Sequence, residues 1–367
     1  MKEYILFESN PDFSCNTFLV FEELKKQLPN YKFIWVTNNS NSIIPKNVDI
    51  VVNRRSSYIK RIKYLYYLSS CRVMVSSNQF FRKLKNEQIN LFLCHGSKTK
   101  KTKGTYEMGN EVDYINVQSH FFDDIISYEY NCDKSQLVYL GYPRCDYFYQ
   151  NKNIARNCLF KNKNAKFIIW LPTFRKHNNG KIDALNSKYN DIGIPLIYTI
   201  DMLQNFNEYL KKNNIYIVYK PHPVQDISSL VSFNLSNILI ICDQFLAEKR
   251  LQLYEVIAES EALITDYSSV FFDYLLLDRP IATTTDDIEN WKNGRGFAFD
   301  IEGMYNKASV RIPDILSLQQ FISNVIRGED NLKYDRKEVC DLTNIYKDGN
   351  SSKRVCDFIL KKLDEEN

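Results

Sequence analysis

Short apolar runs alternate along this chain with stretches in which apolar residues recur every third or fourth position. The runs predict strands near 3–8, 31–36, 48–52, 72–76, 89–94, 114–117 and 137–140 in the first half. In the second half they predict strands near 166–171, 215–219, 238–241, 262–265 and 280–284. Helical periodicity lies between them, over 200–212 and over 251–260, where Leu253, Val256 and Ile257 share one face. Strands alternating with helices are the pattern of parallel α/β layers. The polar, Asn- and Lys-rich stretch 150–165 marks the best boundary. It divides the chain into a domain over 1–155 and another over 156–367, with a C-terminal helix free to pack back on the first. A polar stretch over 176–195 reads as a long loop, and no internal repeat is visible.

Length agrees with two domains, since 367 residues exceed one ordinary hydrophobic core. The composition, 44% hydrophobic and 25% charged, is that of a soluble globular protein. No apolar run approaches the roughly 20 residues of a membrane span. Glu8 and Asp12 interrupt the first apolar run too early for a signal peptide, so it reads as a core strand. Nine scattered cysteines without a Cys-x-x-Cys pair fit a reducing cytosol better than a disulfide framework or zinc site. A net charge of +4 and the lack of an RNA-recognition signature argue against a nucleic-acid partner.

In parallel sheets of this kind ligands bind outside the carboxyl ends of the strands, so the residues just after each strand carry the chemistry. Ile264-Thr265-Asp266-Tyr267-Ser268-Ser269 ends a strand and opens a helix; the two serines suit either a phosphate at the helix N-terminus or simple capping. Lys220-Pro221-His222-Pro223 holds an imidazole between two prolines that restrict the backbone, which favours a ligand role over a structural one. Pro172-Thr173-Phe174-Arg175 places an arginine where a phosphate clamp would stand, or on the surface. Cys94-His95-Gly96-Ser97-Lys98 follows a strand; His95 is suited to accept a hydroxyl proton near neutral pH. The lysines beyond it either form a solvated loop or attract a phosphorylated acceptor. The loop after the first strand lacks Gly-x-Gly-x-x-Gly, and no P-loop occurs, which argues against a dinucleotide oxidoreductase or a Walker-type ATPase. The segment 54–68 mixes basic and aromatic residues at helical spacing; it fits a helix on an anionic membrane or a domain helix with a basic outer face.

Taken in order, these motifs resemble the CDP-glycerol (or CDP-ribitol) polyol-phosphate transferases of teichoic-acid and capsule synthesis. The resemblance rests on His95-Gly96-Ser97, Pro172-Thr173-Phe174-Arg175, His222-Pro223 and Ile264 through Ser269. It is extended by Gly141-Tyr142-Pro143-Arg144, Asp278-Arg279-Pro280-Ile281, Arg295-Gly296-Phe297, and Tyr346-Lys347-Asp348-Gly349 followed by Ser351-Ser352. It implies a GT-B fold of two Rossmann-like domains facing across a cleft, the first binding the acceptor and the second the nucleotide donor. It also implies His95 as general base, and Arg175, His222, Ser268 and Ser269 on the donor diphosphate. Gly96, Ser97, Thr173, Pro223, Asp266 and Tyr267 would line the ligand space, with Asp12, Asn16 and Lys98 on the acceptor side. The family usually has Thr-Pro-Leu where Ser97-Lys98-Thr99 stands here, which leaves the acceptor open.

The expected partners are therefore a CDP-glycerol or related CDP-polyol donor and a glycan, polymer or lipid-linked acceptor. No cofactor is expected, and without an Asp-x-Asp motif no metal. The expected location is the cytoplasm, with peripheral contact at the inner face of the cell membrane as an open point. Two rivals stand beside this reading: a GT-B glycosyltransferase using a CMP-sugar or other nucleotide sugar, and a non-catalytic nucleotide- or glycan-binding protein.

Overall fold

The computed structural model describes residues 2–39, 42–54, 57–99, 101, 108–150, 152–173, 192–222, 225, 233, 235–294 and 296–365. The chain forms two compact units. The first comprises Met1–Ser97, Lys103–Asn151 and Leu342–Asn367; the second comprises Lys98–Thr102 and Lys152–Asp341.

The first unit is built on seven parallel strands: β1 (Tyr4–Glu8), β2 (Lys32–Thr37), β3 (Ile50–Asn53), β4 (Val73–Ser76), β5 (Ile89–Phe92), β6 (Tyr114–Asn116) and β7 (Leu137–Val138). Their order in the sheet is β3-β2-β1-β4-β5-β6-β7. The chain winds outward from β1 in one direction and then, from β4, in the other. Helix α1 (Cys15–Gln27) covers one face and α2 (Tyr58–Ser70) lies against the opposite one. The second unit repeats the plan with β8 (Phe167–Leu171), β9 (Tyr216–Tyr219), β10 (Ile238–Ile240), β11 (Ala262–Thr265), β12 (Ile281–Thr284) and β13 (Val310–Ile312), ordered β10-β9-β8-β11-β12-β13. Every residue of β8 and β11 is buried, as central parallel strands covered on both faces require. Both units are thus Rossmann-like, and each has one point where the strand order reverses: β1/β4 in the first, β8/β11 in the second.

The twelve expected strands are present; most are one or two residues shorter, β11 has the expected bounds, and β2 and β3 each start one or two residues later and run one residue further than expected. Strand β13 was not expected. It is a three-residue edge strand with Val310 and Arg311 exposed and Pro313 directly after it, so it leaves no apolar run to read. None of the nine cysteines, all among the described residues, forms a disulfide.

The C-terminal helix Ser351–Glu365 belongs to the first unit, where Val355, Cys356, Ile359 and Leu363 join Phe21 and Leu24 of α1 in one core. Its entry explains the Asp348-Gly349 and Ser351-Ser352 motifs. Gly349 has φ +69°, and a Cβ there would stand 2.6 Å from Cβ of Tyr149. The buried carboxylate of Asp146 accepts from Ser351 N at 2.9 Å, Ser352 N at 2.7 Å and Ser352 Oγ at 2.5 Å, capping the helix from another part of the chain. Asp146→Ala should lower unfolding free energy by about 1–3 kcal/mol, because two first-turn N–H groups and a hydroxyl lose their acceptor. A urea titration followed by circular dichroism measures this, and an unchanged midpoint would contradict it.

Candidate functional site

In the first unit, β5 ends at Phe92 and the chain turns sharply. Cys94 takes φ +55° and Gly96 φ +155°, and the exposed His95 stands between them. Such a turn removes main-chain groups from the sheet ladder, and they need new partners. Asn16, fully buried on α1, supplies them: its Nδ2 donates to Leu93 O at 3.3 Å and Cys94 O at 2.8 Å, and its Oδ1 accepts from Arg144 N at 3.1 Å. The buried Arg144 donates through Nη1 to His95 O and to Cys15 Sγ. Beyond His95, the Ser97 hydroxyl donates to Gln118 Oε1 at 2.5 Å, and Gln118 donates in turn to Asn344. The main chain of His95 is therefore fixed on both sides while its ring is left at the surface.

Nearby, at the carboxyl end of β1, the buried carboxylate of Glu8 accepts from Asn78 N at 3.2 Å and Gln79 N at 2.9 Å. Burial pushes its pKa above the usual carboxylate value, and these two N–H bonds pull it back. Asp12 accepts from Asn38 N, Asn39 N and Ser42 Oγ, which ties the loop after β2 to the loop after β1.

In the second unit the strand order reverses between β8 and β11. There the fully buried Asp266 carboxylate accepts from Thr173 N, at 3.0 Å through Oδ1 and 2.9 Å through Oδ2, and from Thr173 Oγ1 at 2.9 Å. One residue earlier in β11, Thr265 Oγ1 donates to Leu171 O at 2.7 Å. This clasp joins the loop after β8 to the loop after β11. Asp266 is held from beneath, since Tyr305 OH donates to its carbonyl at 2.7 Å. Tyr267, also fully buried, donates to Asp287 Oδ1 at 2.8 Å and packs 4.9 Å from the Trp291 ring; Trp291 Nε1 donates to the other Asp287 oxygen at 3.2 Å. The Thr99 hydroxyl donates to Tyr267 O at 2.8 Å within this unit, and Lys98 beside it is half-buried.

Ser268 and Ser269 are half-buried at the start of the helix Val270–Tyr274. Ser269 does not cap it through its side chain. The helix has five residues and runs straight into a 3-10 turn over Leu275–Leu277, so its dipole is short; any anion there would rely on first-turn N–H groups and hydroxyls. On the other side of β8, β9 is followed directly by Lys220, whose buried ammonium meets Asp243 Oδ1 at 2.8 Å; Pro221 is buried and His222 exposed. Loops carrying His222, Thr173 and Ser268 thus follow three neighbouring strands, β9, β8 and β11. Arg175 and Pro223 lie outside the described residues.

Four residues expected to line the ligand space turn inward instead. Ser97, Thr173, Asp266 and Tyr267 are all buried, with their polar atoms bonded inside the fold, and Gly96 is buried as well. Asn16 is likewise committed inward. The reason is the same throughout: loops leaving a sheet need side-chain partners for their freed main-chain groups. Arg144, Gln118 and Asp287 went unread for that purpose in the sequence, although Arg144 stands in a matched motif.

The sequence matches the family model "CDP-Glycerol:Poly(glycerophosphate) glycerophosphotransferase" over residues 1–361. It is 26% identical to the teichoic acid poly(glycerol phosphate) polymerase of Bacillus spizizenii, covering 98% of this chain and 92% of that protein. It is 24% identical to the teichoic acid glycerol-phosphate primase of Bacillus subtilis, over 95% and 89%. Among solved structures, the fold is similar to that of the wall teichoic acid polymerase TagF, with a TM-score of 0.77, 22% identity and coverage of 99% and 90%.

Proposed function

Since the chain belongs to the CDP-glycerol:poly(glycerophosphate) glycerophosphotransferase family, we propose that its two Rossmann-like units divide the labour of one phosphoryl transfer. The enzyme moves glycerol phosphate, or a related polyol phosphate, from a CDP-linked donor to a hydroxyl in the synthesis of a teichoic-acid-like polymer, releasing CMP. The second unit holds the donor, with its diphosphate among the loops that carry Arg175, His222, Ser268 and Ser269. The observation that carries this assignment is the Asp266–Thr173 clasp at the point of strand reversal, where doubly wound sheets take their ligands.

His95 removes the proton from the acceptor hydroxyl. The resulting oxygen attacks the phosphorus on the polyol side of the diphosphate, the bond from that phosphorus to the bridging oxygen breaks, and CMP leaves with the electron pair. A phosphate whose second ionisation lies near pH ~6 needs no general acid to depart. His222 is therefore cast as a donor to phosphate oxygens, and Arg175 with the serine-bearing turn as the stabiliser of charge spread over them. The acceptor is a glycan, a growing polymer or a lipid-linked primer, reached from the cytoplasm by peripheral contact with the membrane.

A donor panel tests this reading. CDP-glycerol, CDP-ribitol and CMP-sialic acid are offered with a glycerol phosphate oligomer, and CMP release and product mass are recorded. A mass increase of one polyol phosphate is expected. A glycosidic product from CMP-sialic acid, or donor binding without any CMP, would overturn it.

A further inference from the structure

The short segment Lys98–Thr102 follows the His95 turn in the chain but belongs to the second unit, and the first unit resumes at Lys103. Two main-chain bonds lay it antiparallel to the chain around Phe297: Ala298 N donates to Thr99 O at 3.0 Å, and Lys101 N donates to Gly296 O at 3.2 Å. Gly296 takes φ +72°, and a Cβ there would stand 3.3 Å from Cδ of Lys101, so the glycine of the Arg295-Gly296-Phe297 motif lets this strap lie close. Phe297 in turn packs 5.3 Å from the Tyr267 ring.

The strap reaches the loop after β11 through one side chain. Thr99 is 4% exposed, and its hydroxyl donates to Tyr267 O at 2.8 Å. A peptide unit is planar and trans, so its C=O and N–H point in opposite directions. Fixing the Tyr267 carbonyl therefore fixes the direction of the Ser268 N–H. One residue earlier Tyr305 OH does the same for the Tyr267 N–H, by donating to Asp266 O at 2.7 Å. Among the described residues none accepts a hydrogen bond from the Ser268 N–H, and Ser268 is half-buried rather than covered. An aimed main-chain donor without an acceptor in the fold is suited to an anionic oxygen.

We propose that Thr99 is a positioning residue for the donor: its hydroxyl holds the Tyr267–Ser268 peptide so that the Ser268 N–H faces a diphosphate oxygen. The inference rests on the assignment of the donor diphosphate to Ser268 and Ser269, and adds to it a residue from the segment that carries His95. The Ser97 hydroxyl is bonded within the first unit and the Thr99 hydroxyl within the second, so the turn presenting His95 runs directly into the strap that holds the donor loop.

Three full-length chains test this: the parent, Thr99→Val, which keeps the shape and loses the hydroxyl, and Thr99→Ser, which keeps the hydroxyl. Calorimetric titration with CDP-glycerol and amide hydrogen exchange over residues 266–270 are measured well below each melting temperature. Thr99→Val should bind CDP-glycerol about tenfold more weakly, the worth of about one hydrogen bond, and should exchange faster over 266–270. Thr99→Ser should stay within about twofold of the parent in both readouts. Donor affinity of Thr99→Val within about twofold of the parent, whatever its loss of stability, would reduce Thr99 to a structural tie and overturn the proposal. Equal weakness of Thr99→Ser and Thr99→Val would overturn it as well, since the hydroxyl would not be the group that matters. If the parent itself bound no CDP-glycerol, the donor assignment would fall and take the donor role of Thr99 with it. Exchange that rises in Thr99→Val and recovers in Thr99→Ser would then mark that failure as one of the transferase reading, with the hold of Thr99 on the peptide intact.

Discussion

His95→Ala should lower the rate of CMP release by about 10³-fold, the range over which a positioned general base contributes. Its affinity for CDP-glycerol should stay within about twofold of the parent on the assignment of the donor to the other unit. The structure makes this a clean experiment. The contacts from Asn16 to the Leu93 and Cys94 carbonyls and from Arg144 to the His95 carbonyl go to main chain, so the alanine variant keeps them. His95→Gln keeps a hydrogen-bonding side chain that cannot take a proton, and it should be as inactive as the alanine variant. Single-turnover CMP release and calorimetric titration with CDP-glycerol supply the two readouts. If donor affinity falls in step with the rate, His95 belongs to the donor site; if His95→Gln retains full rate, it serves only as a hydrogen-bonding group.

The strands were legible because central parallel strands are apolar on both faces. Phe167 through Leu171 and Ala262 through Thr265 each form a short buried run that ends where a loop begins. Edge strand β13, half in water, gave no such run. The loops after the strands could be picked out for the same reason the strands could, and so could the His, Ser and Arg residues on them. What local pattern could not convey was which polar side chains face the ligand and which serve the fold. Asp266 and Thr173 lie 93 residues apart, and Arg144 and His95 lie 49 apart; their pairing exists only once the sheet has formed. Asp266 and Tyr267 stood in the same motif as Ser268 and Ser269, the first pair expected to line the ligand space and the second to bind the diphosphate. The first two turn into the core and the next two toward the surface, because the chain leaving β11 must bond downward before a helix can start. For α2, composition left membrane helix and domain helix equally open. In the structure Leu68 is buried and Tyr58, Ile59, Ile62, Leu65 and Tyr66 are exposed, a phase that composition alone does not give.

The clasp supports the second large expectation. Asp266→Ala strips the acceptor from the Thr173 N–H and hydroxyl, both in a buried setting, and each unsatisfied group costs about 1–3 kcal/mol. A loss of about 3 kcal/mol in unfolding free energy is expected, read from a urea titration. Thr173→Val removes the hydroxyl alone and keeps the main-chain bond to Asp266, so it should lose only about 1 kcal/mol. Combined with Asp266→Ala it should add almost nothing, since both changes break the same contact. The functional consequence follows from position. The loop after β8 continues from Thr173 toward Arg175, and the loop after β11 leads to Ser268 and Ser269, so releasing one from the other should loosen the donor site. CDP-glycerol affinity should therefore fall about tenfold or more when measured well below the melting temperature of the variant, where the protein is still folded. The two readouts separate two meanings of the clasp. Lower stability with unchanged affinity would make it a structural tie only and remove the donor from this point of strand reversal. Lower affinity in proportion to the bonds broken, with Thr173→Val intermediate, would fix the donor there.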